Sequence, residues 1–482
     1  GSYNTAVGRN ALSSNTTADE NTAVGNSALS ANTTGASNTA VGNSALQENT
    51  TGINNTAIGY AALDANTDQS NNTAVGYGAL TTTTGGHSLT AVGRDALSAN
   101  STGYYNTAVG RDASKDTTTA TETTSIGFEA LKANTTGANN TALGSKALKA
   151  NTTGASNTAV GRNALAANTT ADYNTAVGYG ALIANTTGTQ NTALGFEALK
   201  TTSTTNKCTA IGYEALEDVT QDACTAVGNE AGKGITDGDH NTAIGNQALK
   251  GDGSTAVTGA ANVAVGSMCM IDNTGGGNNS VVGYKAMENN TTGSSNVSMG
   301  WKCMDTNTTG SDNVAIGREA LLDSATGNYN TCVGNYAGRA IQDGADYNTA
   351  IGYQAMGNAS ANSFVGDRNT AVGMEAMNGS ALDDAYGNTC IGWATLISCS
   401  TGSRNTAIGE GAGYYITTGG NNHCIGYNAG QSSSPSGSIT TGSDNFVLGN
   451  NSIANLYCAD TSISSSDERD KTDIEAFNHG LD

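Results

Sequence analysis

A five-residue phrase, Asn-Thr-Ala-Val-Gly, returns along this chain at so regular an interval that few folds remain open to it. It starts at Asn4 and recurs at Asn21, Asn38, Asn55, Asn72, Leu89, Asn106, Thr123, Asn140, Asn157, Asn174, Asn191 and Cys208, twelve steps of 17 residues without a slip. The next step, to Cys224, is one residue short. The series then runs through Asn241, Asn262, Asn279, Asn296, Asn313, Asn330, Asn348, Asn369, Asn388, Asn405 and Asn422 to Asn445, making 26 copies. Insertions lengthen five of these late steps to 21, 18, 21, 19 and 23 residues. Repetition on this scale marks an array in which each unit buries its face against its neighbours.

The consensus unit reads N-T-A-V-G-x-x-A-L-x-x-N-T-T-G-x-x, numbered here as positions 1 to 17. Two units span 34 residues, the length of a tetratricopeptide helical hairpin, but Gly at position 5 and usually at position 15 leaves no uninterrupted helical window. Each Gly inside a helix would cost about 1 kcal/mol. A parallel β-solenoid fits instead. Thr-Ala-Val makes a short strand, Gly turns the corner, and Ala-Leu opens a second short segment. Asn-Thr-Thr-Gly makes the return turn, where Asn and Gly tolerate left-handed backbone angles. At about 4.8 Å per coil, the copies would stack into a rod roughly 125 Å long. The expected organisation is a solenoid over 1–449, a junction over 450–465 and the start of a different domain over 466–482.

Position 4 is always Val, Ile, Leu or Met, and position 3 is usually Ala. Neighbouring strand residues point to opposite faces, so apolar residues at both positions imply that both faces are buried. One burial site is the coil interior, to which position 4, as in Val177, is assigned. The other is a neighbouring copy of the same chain, which predicts a homo-oligomer. Asn at positions 1 and 12 should form amide ladders from coil to coil, since each amide both donates and accepts. The N-T-T triplet also fits a glycosylation sequon, although a repeated turn explains it equally well.

Composition narrows the function classes. The chain has 64 Gly, one Pro, 5% aromatic and 13% charged residues, too few large apolar side chains for several compact cores. A net charge of −21 removes the basic footprint that nucleic acid requires and helps keep an exposed β surface soluble. No apolar run approaches the length of a membrane span. The chain opens in mid-repeat without an initiator Met, so a preceding segment is expected.

Few residues suggest chemistry. Nine cysteines include no CxxC pair. Cys332, Cys390 and Cys424 replace the Ala at position 3, and Cys269 and Cys303 the Ala at position 8, so they read as core thiols of a reducing compartment. Cys208 and Cys224 share position 1 on successive coils, where a disulfide is the alternative. Four scattered histidines and the Asp-rich stretch at 236–239 do not form a metal motif, and no cofactor is expected. Aromatics recur just after the strand Gly, at Tyr60, Tyr77, Phe128, Tyr179, Phe196, Tyr213, Tyr284, Trp301, Tyr353, Trp393 and Tyr427. They read first as shielding of the coil edge, and second as platforms for the sugar rings of a receptor.

After Asn445 the pattern lapses, and the run Ser464-Ser465-Ser466-Asp467-Glu468-Arg469-Asp470-Lys471-Thr472-Asp473-Ile474 follows. From residue types alone this is a solvated, charged turn ahead of a helix. It also resembles the opening of the intramolecular chaperone of endosialidases and other phage tail spikes and fibres, a self-cleaving peptidase family whose opening is Ser-Asp-x-Arg-x-Lys. Ser466 to Lys471 match each fixed position. The resemblance implies that Ser466 is the nucleophile, Lys471 its helper, and Ser465–Ser466 the bond cut. A Ser hydroxyl needs such a base to lose its proton, and Lys can serve when desolvation lowers its pKa.

The repeats are similar to the heads of trimeric autotransporter adhesins, whose shorter coils stack as a left-handed parallel β-roll in a trimer. Together the two resemblances imply a homotrimeric viral tail-fibre or appendage shaft. It would sit on the virion or an extracellular surface, take part in attachment to a host glycan or protein receptor, and act on no external substrate. The alternative is a bacterial trimeric surface adhesin head.

Overall fold

The computed structural model describes residues 1–251, 253, 255–357, 365–379 and 384–455. It falls into two units, the first Gly1–Ser294 and the second beginning at Ser295. In both, the consensus triplet forms a three-residue strand. These run from β1 (Thr5–Val7) to β17 (Ser280–Val282) in the first unit and from β18 (Val297–Met299) to β26 (Phe446–Leu448) in the second. Within each unit every strand pairs in parallel with the next, like residue against like: Thr5, Ala6 and Val7 face Thr22, Ala23 and Val24, and Val297 and Met299 face Val314 and Ile316. No helix occurs among the described residues. The fold is an all-β parallel solenoid with one coil per 17-residue repeat.

The coil from Asn157 to Tyr173 shows how the unit closes. Ala159 is fully buried, while Thr158 and Val160 on either side of it are half-buried. The same alternation in Thr175–Val177 corrects the assigned facing: Ala176 fills the interior and Val177 points outward. Parity is as expected, but the inside and outside are exchanged. The interior is narrow, and Ala at positions 3 and 8, Leu at position 9 and Asn at positions 1 and 12 are enough to fill it.

The turns also depart from expectation. Gly161 takes φ 131°, and the residues in left-handed conformation beyond it are Asn163 (60°), Leu165 (50°) and Tyr173 (60°), at positions 7, 9 and 17. The Asn-Thr-Thr-Gly return has no positive φ. Ala-Leu is therefore part of a turn and opens no second strand. Each left-handed residue sends its N–H to an adjacent coil: Asn163 to the Ser145 carbonyl (3.1 Å), Leu165 to Ala181 (3.0 Å) and Tyr173 to Ala155 (3.2 Å). These bonds between coils hold a backbone conformation that a side chain otherwise disfavours.

The Asn ladders are present in two forms. At position 12, Asn49 Nδ2 donates to Asn32 Oδ1 (2.8 Å), Asn66 to Asn49 (2.9 Å) and Asn168 to Asn151 (2.7 Å). The second amide hydrogen goes to the position-15 carbonyl of the same coil, as from Asn151 to Gly154 (2.8 Å). At position 1 the ladder runs mainly through the backbone. Asn38 N–H donates to Asn21 Oδ1 (2.9 Å), while Asn38 Nδ2 donates to the Gly52 carbonyl (2.8 Å). Asn134, Asn151, Asn168 and Asn185 are fully buried, so the N-T-T asparagines are structural, and the folded coil withholds them from glycosylation.

Candidate functional site: an outward face and its two rims

Position 2 is Thr in every coil from Thr5 to Thr242, and with the position-4 aliphatics it makes an outward sheet face. No Asp, Glu, Lys or Arg occupies either position in any copy. Much of the aliphatic surface is open: Ile58 is 40% exposed and Leu194 45%. An apolar ladder repeated over this many coils is far larger than the scattered apolar residues of an ordinary surface.

Position 6 forms the rim after the strand. In the first unit its arginines and aromatics are Arg9, Tyr60, Tyr77, Arg94, Arg111, Phe128, Arg162, Tyr179, Phe196, Tyr213 and Tyr284. Tyr60 and Tyr77 stack at 5.1 Å between centroids, and Phe196 stacks on Tyr179 at 5.3 Å and on Tyr213 at 5.2 Å. The Arg111 guanidinium sits 4.4 Å from the Phe128 centroid. In these runs each ring covers a face of its neighbour, which supports shielding there, while Tyr284, Trp393 and Tyr427 are 45%, 45% and 55% exposed.

Positions 16 and 17 form the rim before the next strand. The sequence reading passed over it, although its polar and aromatic residues recur at one fixed distance from each strand. His87, Tyr104 and Tyr105 cluster there, with His87 stacked on Tyr104 at 5.3 Å. In the second unit Tyr329 stacks on Tyr347 at 4.9 Å, and Arg368 Nη1 donates to the Tyr386 hydroxyl at 2.6 Å.

On the turn beyond position 6, acids at position 7 meet lysines at position 10. Glu129 is bridged by Lys149 (2.8 Å) and Lys132 (3.1 Å). Their hydrogen bonds, Lys149's first, outweigh partial desolvation and hold its carboxyl down at about 2. Glu197, Glu214 and Glu217 lie close enough to share a cation. However, Lys200 already spans Glu197 (2.7 Å) and Glu217 (3.0 Å), and Lys233 spans Glu214 and Glu217. This is an ion-pair lattice joining coils, and its individual pairs are partly exposed, which limits each to a modest contribution.

All eight cysteines among the described residues are free and buried. Burial pushes Cys269 up to about 12 and Cys303 up to about 11, keeping them protonated and unreactive. Cys208 and Cys224 are neighbours as expected, but as thiols. Cys208 Sγ donates to the Gln221 carbonyl (3.5 Å) and Cys224 Sγ to Gly238 (3.4 Å), replacing the amide that Asn supplies at position 1. The hydrogen-bonding interaction with the Cys224 sulfur, in which Cys208 is the group that keeps its proton, together with burial, holds the Cys208 thiol well above its ordinary range.

Ser466 and Lys471, and the scissile Ser465–Ser466 bond, lie outside the described residues. No family model matches the chain, and neither the curated proteins nor the solved structures contain a match. Among the described residues no helix is long and apolar enough to cross a membrane.

Proposed function

We propose that the chain is the shaft of a homotrimeric fibre, a viral tail fibre or related appendage, that takes part in attachment to a host surface. Its assembly would be assisted by a C-terminal chaperone that cuts itself away. The observation that carries this reading is the uncharged outward face, in which Thr and β-branched or aliphatic residues repeat in register from coil to coil. A monomer would leave that whole ladder in water. Identical copies packed around an axis parallel to the coil stack would bury it, and a closed ring is the arrangement that leaves none uncovered.

The test is a mass measurement. Sedimentation of the intact chain should give three times the mass of one chain. Changing Val160 and Val177 together to Asp places two charges on the face without touching the interior. That variant should sediment as a monomer while keeping its β circular dichroism. A wild-type chain that is a stable monomer with an intact β signal would overturn the proposal.

A further inference from the structure

In one coil the interior gives up its large side chain without replacing it. Positions 9 and 12 share a single space. Where Gly232 stands at position 9, Ile235 stands at position 12, and a Cβ on Gly232 would lie 3.0 Å from Ile235 Cδ1. Through the first unit every other coil keeps Leu, Met or Ile at one of the two positions, except the coil that starts at Asn106, which has Ser114 and Thr117. The backbone does not close up to make good the loss. Leu97 N–H reaches the Ala113 carbonyl at 3.0 Å, Ser114 N–H the Ala130 carbonyl at 2.9 Å and Leu131 N–H the Ala147 carbonyl at 2.9 Å. Serine lacks both methyl groups of leucine, which leaves room on the scale of a water molecule, about 30 Å³.

The groups around that room are polar. Thr117 Oγ1 and Asn100 Oδ1, on successive coils, are buried without a hydrogen-bond partner, and both residues are fully buried. Asn134 completes the set from the other side. One of its amide hydrogens goes to the Gly137 carbonyl (3.0 Å). One coil further on, Asn151 donates to Asn134 Oδ1 (2.9 Å), but the ladder neighbour to which Asn134 itself would donate is Thr117, which has no amide oxygen. Beside them Ser114 Oγ donates to Ser125 Oγ (2.8 Å), and both of these residues are fully buried as well. The same pair of unpartnered atoms recurs at Asn66 and Thr83, where Leu80 keeps the coil filled. Beside Ser114 the unmet groups and the room coincide.

We propose that an ordered water is built into the solenoid interior beside Thr117, as a rung of the position-12 ladder. It accepts a hydrogen from the Asn134 amide, donates one to Asn100 Oδ1, and makes its remaining hydrogen bond with Thr117 Oγ1. About three polar partners is the usual complement of a buried water, and here all three come from side chains that the coil stack already holds in register. The site lies inside one chain, so it does not depend on how copies assemble.

A crystal structure of the full chain, at a resolution that shows ordered water, tests this. Density is expected at about 2.7–3.2 Å from both Asn100 Oδ1 and Thr117 Oγ1. Thr117→Asn carries an amide into the same place and should lose that density, with the new side chain bonded directly to Asn100. Ser114→Leu refills the room and should lose it too. β circular dichroism checks that each variant folds, and if Ser114→Leu does not, Thr117→Asn decides alone. A parent chain in which the Thr117 hydroxyl bonds Asn100 directly, with no density between them, would overturn the proposal. Xenon entering the space under pressure would also overturn it, because that marks a dry, apolar cavity. Density retained in Thr117→Asn would show that the water is not a rung of the ladder, and would overturn the assignment.

Discussion

At Gly161 two separate demands fall on one residue. Its φ of 131° belongs to glycine, and a Cβ there would lie 2.5 Å from the carbonyl oxygen of Gly178 on the next coil. At Gly154 only the second demand applies. Its φ is ordinary, a Cβ would meet the Ala171 carbonyl at 2.4 Å, and Ala18, Ala120 and Ala171 already occupy the same column in other coils. Gly161→Ala should therefore cost about 3 kcal/mol or more, strain and overpacking together, and Gly154→Ala about 1 kcal/mol. Hydrogen exchange of the flanking coils reads both, and equal losses of protection would contradict the distinction. The corner at position 5 was legible because all 26 copies keep Gly there. The other left-handed positions were not, because position 9 is usually Leu, a residue that reads as strand or core. A signal was nonetheless present. No Val, Ile or Thr occurs at any described position with positive φ, as expected where a branched Cβ would clash.

At the scale of one coil, the interior conserves volume by trading between two positions. Most coils pair Leu at position 9 with Asn or a small polar residue at position 12. Three coils reverse this, with Gly232 and Ile235, Gly338 and Ile341, and Gly413 and Ile416. A Cβ on Gly232 would meet Ile235 Cδ1 at 3.0 Å and Leu216 Cδ2 at 2.9 Å, so the isoleucine fills the space the leucine leaves. Ile235→Asn alone should cost about 2–4 kcal/mol as a cavity, and Gly232→Leu alone about 1–3 kcal/mol as overpacking. Gly232 already holds φ 61°, close to that of the leucines, so the double variant adds little backbone strain. It should lose less than the sum by about 1–3 kcal/mol; strict additivity in a denaturation cycle would refute the trade. The repeat, the strand and the parallel stacking could all be read from spacing. Which strand face is inside could not, because alternation fixes parity and not direction. Val looked like the core residue, but the structure puts the position-3 side chain inside, Ala in most coils and Val281 in β17, and turns the position-4 aliphatic outward.

Over the whole chain, near-identical coils make folding a problem of alignment. Each strand pairs with that of the next repeat, so a coil forms locally, but copies that begin out of register would be held by contacts almost as good as the correct ones. A trimeric template at one end that starts all copies level, and is then removed, solves this and leaves a fibre that cannot readily return. On the reading proposed here, Ser466 and Lys471 perform that removal. Lys471 takes the proton of the Ser466 hydroxyl, whose oxygen attacks the Ser465 carbonyl of its own chain and expels the Ser466 nitrogen, which receives the proton; water then hydrolyses the resulting ester and separates the fragments, so no bound substrate is needed. A longer chain continuing through the complete C-terminal domain should therefore release a fragment whose first residue is Ser466. Ser466→Ala and Lys471→Ala should each remain full length and still form trimers, because the template stays attached. Those uncleaved trimers should refold after denaturation, whereas cleaved wild type should be slow to unfold and then fail to reassemble, the behaviour of a kinetically trapped state. N-terminal sequencing and electrophoresis after refolding read both outcomes. A full-length wild type, or continued cutting at Ser466 in Lys471→Ala, would remove the autoproteolytic step while leaving the solenoid and its outward face as they are.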